Sequence, residues 1–409
     1  MLLYLATNRW IEKPQRQTML LLMLASFFGR LGFFLLVSRS VSFFSHGVAG
    51  GDSLAYEYYA HLINELWRFQ GVQYIGPDLF PQLGQVALIC NVFAAIELFN
   101  GAPAPLAYTS LAALAGCITS LEIFRASREY GATTRGAYIA MILVLFGPAF
   151  IFHTSDCYKD GFVAMFTVMS FTSALRIARK FEASELVALS LWLTGLWFVR
   201  YYMVFMCSLP IAVGVLGVKS QSITRRVLTI FAVVAFVAAS LIGGLAKSTA
   251  VSQAVQTFQN GSSQNSREWN AQGGSGVSFD DGGNPFGALG PKVLYTVASP
   301  FPWQGGSMGL QLGKLDVLLF YYLIYRAYLA SRRLWKEDRM LLALFAVFVI
   351  PATIAYATTM SNIGLILRQR MPIVFVTAIL ASLSWSQKKA TLLSALDARA
   401  RALRQLAQR

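Results

Sequence analysis

The sequence predicts an all-α, polytopic integral membrane protein of about ten transmembrane helices with additional external interfacial helices. Three observations predict it. Of 409 residues, 56% are hydrophobic and 13% charged, whereas a soluble domain carries about 25% charged residues. Apolar runs of near-spanning length recur along the chain. Basic residues cluster in alternate connecting segments, the signature of membrane sidedness. A mean hydropathy of +0.54 agrees. The same composition excludes a disordered chain and a collagen-like fibre. Cys90, Cys117, Cys157 and Cys207 lie far apart with no C-x-x-C pair, which excludes a zinc ribbon and a disulfide framework.

In chain order, residues 1–16 form a short cytoplasmic N-terminus and residues 17–386 the transmembrane domain. The expected spans are 17–37, 106–124, 137–152, 161–175, 186–199, 201–218, 227–246, 315–331, 340–359 and 371–386. The first is long for a signal peptide and reads as an uncleaved anchor. Segment 82–99 is apolar but contains Gln85, Asn91 and Glu97, and reads as an interfacial or re-entrant helix. Counting it as a span would invert every later segment. Residues 387–409 alternate Leu and Ala with Lys and Arg, as a cytoplasmic amphipathic tail on an anionic leaflet does.

Ten spans with an inner N-terminus put Arg9, Lys13, Arg16, Arg125, Arg128, Arg135, Arg176, Arg179, Lys180, Lys219, Arg225 and Arg226 inside. Arg332, Arg333, Lys336, Arg339, Lys388, Lys389, Arg399, Arg401, Arg404 and Arg409 join them. These are 22 of 34 basic residues. The formal charge of +15 is therefore mainly a topology signal. No segment offers the basic, aromatic-studded face that nucleic acid requires.

Two large external segments remain, 38–105 and 247–314. In the first, the apolar spacing of residues 57–67 predicts a helix lying at the interface. In the second, a Gly-, Ser-, Asn- and Gln-rich stretch leads to Ser299-Pro300-Phe301-Pro302-Trp303, an aromatic end that reads as docked. Shorter external segments hold His153-Thr154-Ser155-Asp156-Cys157-Tyr158-Lys159-Asp160-Gly161, Arg200 and Arg368-Gln369-Arg370. Ionisable groups at membrane depth line cavities or pair with one another. Asp52, Asp156 and Asp160 suit work on a hydroxyl, and Lys159, Arg200, Arg368 and Arg370 suit a phosphate, which arginine's planar fork grips with two parallel hydrogen bonds. Plainer roles fit the same residues: Asp52 as a helix cap, residues 156–160 as an interfacial charge cluster, Arg368 and Arg370 as headgroup contacts. Arg30, within the first span, is expected to face the bundle interior. His46, His61 and His153 fall on the aspartates' side, which permits a divalent metal, but no ligand spacing specifies one. No cofactor is therefore assigned. The absence of a Walker-type phosphate loop argues against ATP hydrolysis.

Gly51-Asp52-Ser53-x-x-Tyr56-x-x-x-Ala60 resembles the first external loop of GT-C-type glycosyltransferases, whose second acidic motif follows the third span, where this chain has Asp156 and Asp160. Tyr158-Lys159-Asp160-Gly161, Ser299-Pro300-Phe301-Pro302-Trp303 and Asn362-Ile363-Gly364 leading to Arg368-Gln369-Arg370 and Pro372 are similar to multi-spanning proteins encoded with bacterial exopolysaccharide genes. The resemblance implies transfer of a sugar from a polyprenyl-phosphate carrier to a glycan or lipid acceptor, at the outer face of a bacterial inner membrane. It implies Asp52 as general base, with Asp156 or Asp160 as its alternate or orienting partner. Arg368 and Arg370, with Lys159 or Arg200, would hold the phosphate. Trp303 and Phe301 would stack on a sugar or prenyl chain, a placement that an interfacial aromatic belt also explains. Two further classes stay open: an O-antigen-polymerase-like enzyme joining lipid-linked repeat units, and a non-enzymatic flippase for the same lipids. No internal repeat is visible, which weighs against a transporter built on inverted repeats.

Overall fold

The computed structural model describes residues 1–38, 51–217 except 201, 276–305 except 281, 283 and 285, and 308–385 except 361. The expected span at 227–246, the polar stretch before residue 276, His46 and the tail 387–409 lie outside the described residues. The described residues form fourteen α-helices and no strand, with a single antiparallel bridge between Gly276 and Asn362.

The helices are α1 (Leu2–Trp10), α2 (Arg16–Phe33), α3 (Gly51–Gln70), α4 (Ala87–Asn100), α5 (Pro105–Glu129), α6 (Thr134–Leu145) and α7 (Pro148–Thr154). They continue with α8 (Asp160–Arg179), α9 (Ala183–Arg200), α10 (Tyr202–Gly217), α11 (Leu289–Ala298), α12 (Met308–Glu337), α13 (Arg339–Thr359) and α14 (Ile363–Ser382). Among the described residues, six segments are long and apolar enough to cross a membrane: 13–36, 81–100, 105–129, 160–179, 339–359 and 363–385. The pair α6–α7, bent by 55°, makes a seventh if it is one broken span. The chain is thus a helical membrane protein. About ten spans were expected; of the remainder, α10 has 16 described residues, α9 is bounded by Glu185 and Arg200, and α12 carries Lys314, Asp316, Arg326, Arg332 and Arg333 along its length.

The break between α6 and α7 follows from Gly147-Pro148, since proline has no N–H to continue the ladder. A broken helix in an apolar surrounding must find partners for its freed groups. Arg30, buried on α2, supplies one: its Nη2 donates to the Leu145 carbonyl at 2.9 Å and its Nε to Thr154 Oγ1 at 2.6 Å, and Nη1 reaches Ser26. Asp316 supplies the other, its Oδ1 accepting from the Ala149 N–H at 3.4 Å. Arg30 thus faces the interior, as expected, and its role there is to complete a kink.

Side-chain contacts sort the helix ends into two groups. At one end, Arg125 lies over Trp10, Arg176 donates to Glu122 and to Glu129 (2.8 Å), and Thr133 N–H reaches the Trp385 carbonyl. At the other end, the starts of α3, α5, α8, α10 and α14 meet. Segment 81–100, long and apolar enough to cross a membrane, contacts residues of this second end from both its parts. Its first turn adjoins Asp52, Arg200 and Tyr202. Near its last turn, buried Glu97 accepts from Asn64 (2.9 Å) and from Tyr108 (3.2 Å), in the first turn of α5, and pairs with His61.

Candidate functional site

Five of the residues singled out from sequence meet at this second end. Asp160 opens α8, and Gly161 after it lets the helix start press onto α5: a Cβ there would sit 2.7 Å from the Ala112 carbonyl. That contact seats Asp160, 1% exposed, inside the bundle. Both its oxygens are engaged. Arg368 donates from Nε to Oδ2 at 2.6 Å, and Arg200 from Nη2 to Oδ1 at 3.2 Å. Arg368 Nη1 also donates to Asp52, in the first turn of α3. Arg368 therefore bridges two carboxylates that lie 108 residues apart in the chain, and its guanidinium lies 5.7 Å from the Tyr158 ring centroid.

An open cavity of about 420 Å³ adjoins this network, within the range of small-molecule sites. Asp52, Tyr56, Tyr59, Lys159, Arg200 and Tyr202 line it, together with the turn Gln82–Val86. Lys159 has no carboxylate partner among the described residues, and burial, reinforced by Arg200 and Arg368, pushes its amine down to about 7. Burial raises the Tyr56 phenol against the pull of Arg368, so Tyr56 is a protonated donor. The cavity thus holds one carboxylate, three phenols and two basic groups, and the basic pair suits an anion.

The titration of Lys159 gives a signed expectation. Its charged form is depleted as pH rises through about 7, so affinity for a phosphodiester, whose own charge is constant there, should fall between pH 6 and 8.5. Lys159→Arg should flatten that profile, because a guanidinium stays charged. Affinities for a phosphodiester probe across this range check it; a flat wild-type profile refutes it. The amine's preference for the neutral form also means that the ligand-free fold gains stability as pH rises from about 7 towards the ordinary lysine range.

The remaining candidates lie elsewhere. Arg370, two residues and so roughly 200° around α14 from Arg368, points away from the cavity. It is 1% exposed and donates to the carbonyls of Ser299 (2.7 Å) and Val297 (3.3 Å) and to Asp316 Oδ2 (3.4 Å). Its place is to dock the Pro-Phe-Pro-Trp end onto α12 and α14, so the expected pairing of Arg368 with Arg370 does not form. Trp303 stacks on Phe301 at 5.1 Å between centroids and is 79% exposed; it does not line the cavity. Asp156 sits beside the cavity, accepting from the Cys157 N–H at 2.7 Å and from Ser53 at 3.3 Å. That places it as an orienting group for the start of α3.

Sequence reading missed Glu57 and Cys157. Glu57, Asp156 and Cys157 offer three ligand atoms within 4.8 Å of one another. Burial, then Glu57 and Asp156, raise the Cys157 thiol, so it stays protonated and donates to Glu57 Oε1 at 3.2 Å. Sequence spacing does not show this group because Glu57 comes from a different segment. It also missed the Gln82–Val86 turn, which signalled itself only by Gly84 between two glutamines.

Fold and site together define a multi-helix membrane protein with a charged cavity at one end of its bundle. No family model matches the chain, and no curated protein or solved structure matches it.

Proposed function

We propose that the chain is a membrane glycosyltransferase using a polyprenyl-phosphate-linked sugar donor at the external, periplasmic face of a bacterial inner membrane, in exopolysaccharide or cell-envelope glycan synthesis. One observation carries the reading: Asp52, Lys159 and Arg200, from three separate parts of the chain, line one cavity, and Asp160 and Arg368 join two of them in an ion-pair network beside it, at the end opposite the Arg125–Arg176 network. The positive-inside rule favours a cytoplasmic side for the Arg125–Arg176 end, which leaves the cavity on the external side. Lys159 and Arg200 would receive the donor phosphate, and Arg368, drawn to the same anion, would release Asp52. Asp52 then takes the proton of the acceptor hydroxyl as its oxygen bonds to the sugar's anomeric carbon. The bond from that carbon to the phosphate oxygen breaks, and polyprenyl phosphate leaves with the electron pair. Preorganised cations at the departing phosphate are where such a site contributes most.

Purified protein supplied with a polyprenyl-phosphate-linked sugar and a glycan acceptor should form a new glycosidic bond. Long ladders from lipid-linked repeat units would instead identify a polymerase, and movement between leaflets without a new bond a flippase. Arg368→Ala should raise the donor KM roughly tenfold or more, as loss of a charged hydrogen bond of about 1.5–3 kcal/mol does. An unchanged KM removes Arg368 from the phosphate site.

A further inference from the structure

The cavity has a second, neutral lining that phosphate recognition does not use. The turn Pro81–Val86 contributes Gln82, Gly84 and Gln85, and α3 contributes Tyr56 and Tyr59. Leu83 and Val86, 1% and 7% exposed, anchor the turn in the core. Gly84 has φ 42° and ψ −119°, a conformation that an L side chain resists. A Cβ there would meet nothing within 4 Å, so this stretch of backbone lies open. The carboxamides of Gln82 and Gln85 hydrogen-bond to no described residue. Each carboxamide offers two donors and an acceptor, and a phenol offers one of each. A compact set of such groups without charge matches vicinal hydroxyls, which donate and accept at once.

We propose that Gln82, Gln85, Tyr56 and Tyr59 form a sugar subsite adjoining the Lys159–Arg200 phosphate site, so that the cavity takes a sugar phosphate as one unit. The inference rests on the transferase reading for the phosphate half and adds the residues that read the sugar. It makes the 81–86 turn the specificity element: its two amides choose among sugars while Lys159 and Arg200 hold what all donors share.

The test uses the purified full chain in lipid nanodiscs and two families of probe, inorganic phosphate and a panel of hexose 1-phosphates, with dissociation constants measured at pH 6.5. Wild type should bind at least one hexose 1-phosphate ten times or more tighter than inorganic phosphate. Gln82→Met with Gln85→Met, close to isosteric, should erase that preference and leave the inorganic phosphate constant within twofold, which also shows the variant folded. Gln85→Asn, with the amide kept and moved, should reorder the panel. A preference that survives the double methionine variant, or is absent from wild type while phosphate binds, overturns the sugar subsite alone. Failure of wild type to bind either probe overturns the phosphate site and this proposal with it.

Discussion

Asp160→Asn should destabilise the protein by about 3–5 kcal/mol, the cost of leaving buried charge without its partner. Asp160 is 1% exposed and faces two guanidiniums, Arg200 and Arg368, both of them largely shielded from solvent. An asparagine keeps the shape but brings no negative charge, so the two cations would repel across it in a poorly hydrated setting. The thermal midpoint in detergent should drop by several degrees or more, and Asp160→Asn with Arg200→Met should recover part of it by removing one uncompensated cation. A midpoint unchanged in the single variant would show that the network carries no net stability. The same geometry argues against Asp160 as a proton acceptor, because both its oxygens are already engaged.

Asp52→Asn should do the reverse: fold as wild type and lose turnover by about 10²–10⁴-fold, the range for removing a positioned general base. Asp52 is 52% exposed on its side chain, and exposed ion pairs contribute about 0–1 kcal/mol. Asparagine can still accept from Arg368 but cannot take the acceptor's proton. The check is kcat for glycosidic bond formation beside the thermal midpoint of the same preparation. Turnover retained with an unshifted midpoint would remove Asp52 from the chemistry and leave it a helix-start residue.

Much of the architecture was legible along the chain because a bilayer constrains sequence so strongly. Uninterrupted apolar runs located α2, α5, α8, α13 and α14 to within a few residues at most ends, whereas the single span expected at 137–152 proved to be two helices bent at Gly147-Pro148. The helix expected at 57–67 proved longer, Gly51–Gln70, because its first turn is polar and carries no apolar period. Helix α1 was not expected at all; its nine residues are too few to show a convincing stripe. The charges expected on the inner side are in part a buried network, with Glu122 fully buried among Arg125, Arg176 and Thr172.

For the site, the sequence supplied the residue types and the tertiary structure supplied the partners. Asp52, Lys159, Asp160, Arg200 and Arg368 were recognisable singly because an ionisable group near apolar spans is costly and calls for a reason. Nothing in one dimension shows that Arg368 would bridge Asp52 and Asp160 while Arg370, two residues on, turns to Ser299 and Asp316. That division depends on the helical rotation between the two positions and on which neighbour stands on each side of α14. Nor could local pattern reveal that Gln82 and Gln85 share a cavity with Lys159, since the turn and the lysine lie on separate segments. Sequence by itself determined that the chain is a helical membrane protein with its polar groups gathered between spans, since burial of apolar length is a local property. Which of those groups meet, and which are spent on holding a loop or a kink, was decided only by packing, because pairing energies act across space and not along the chain.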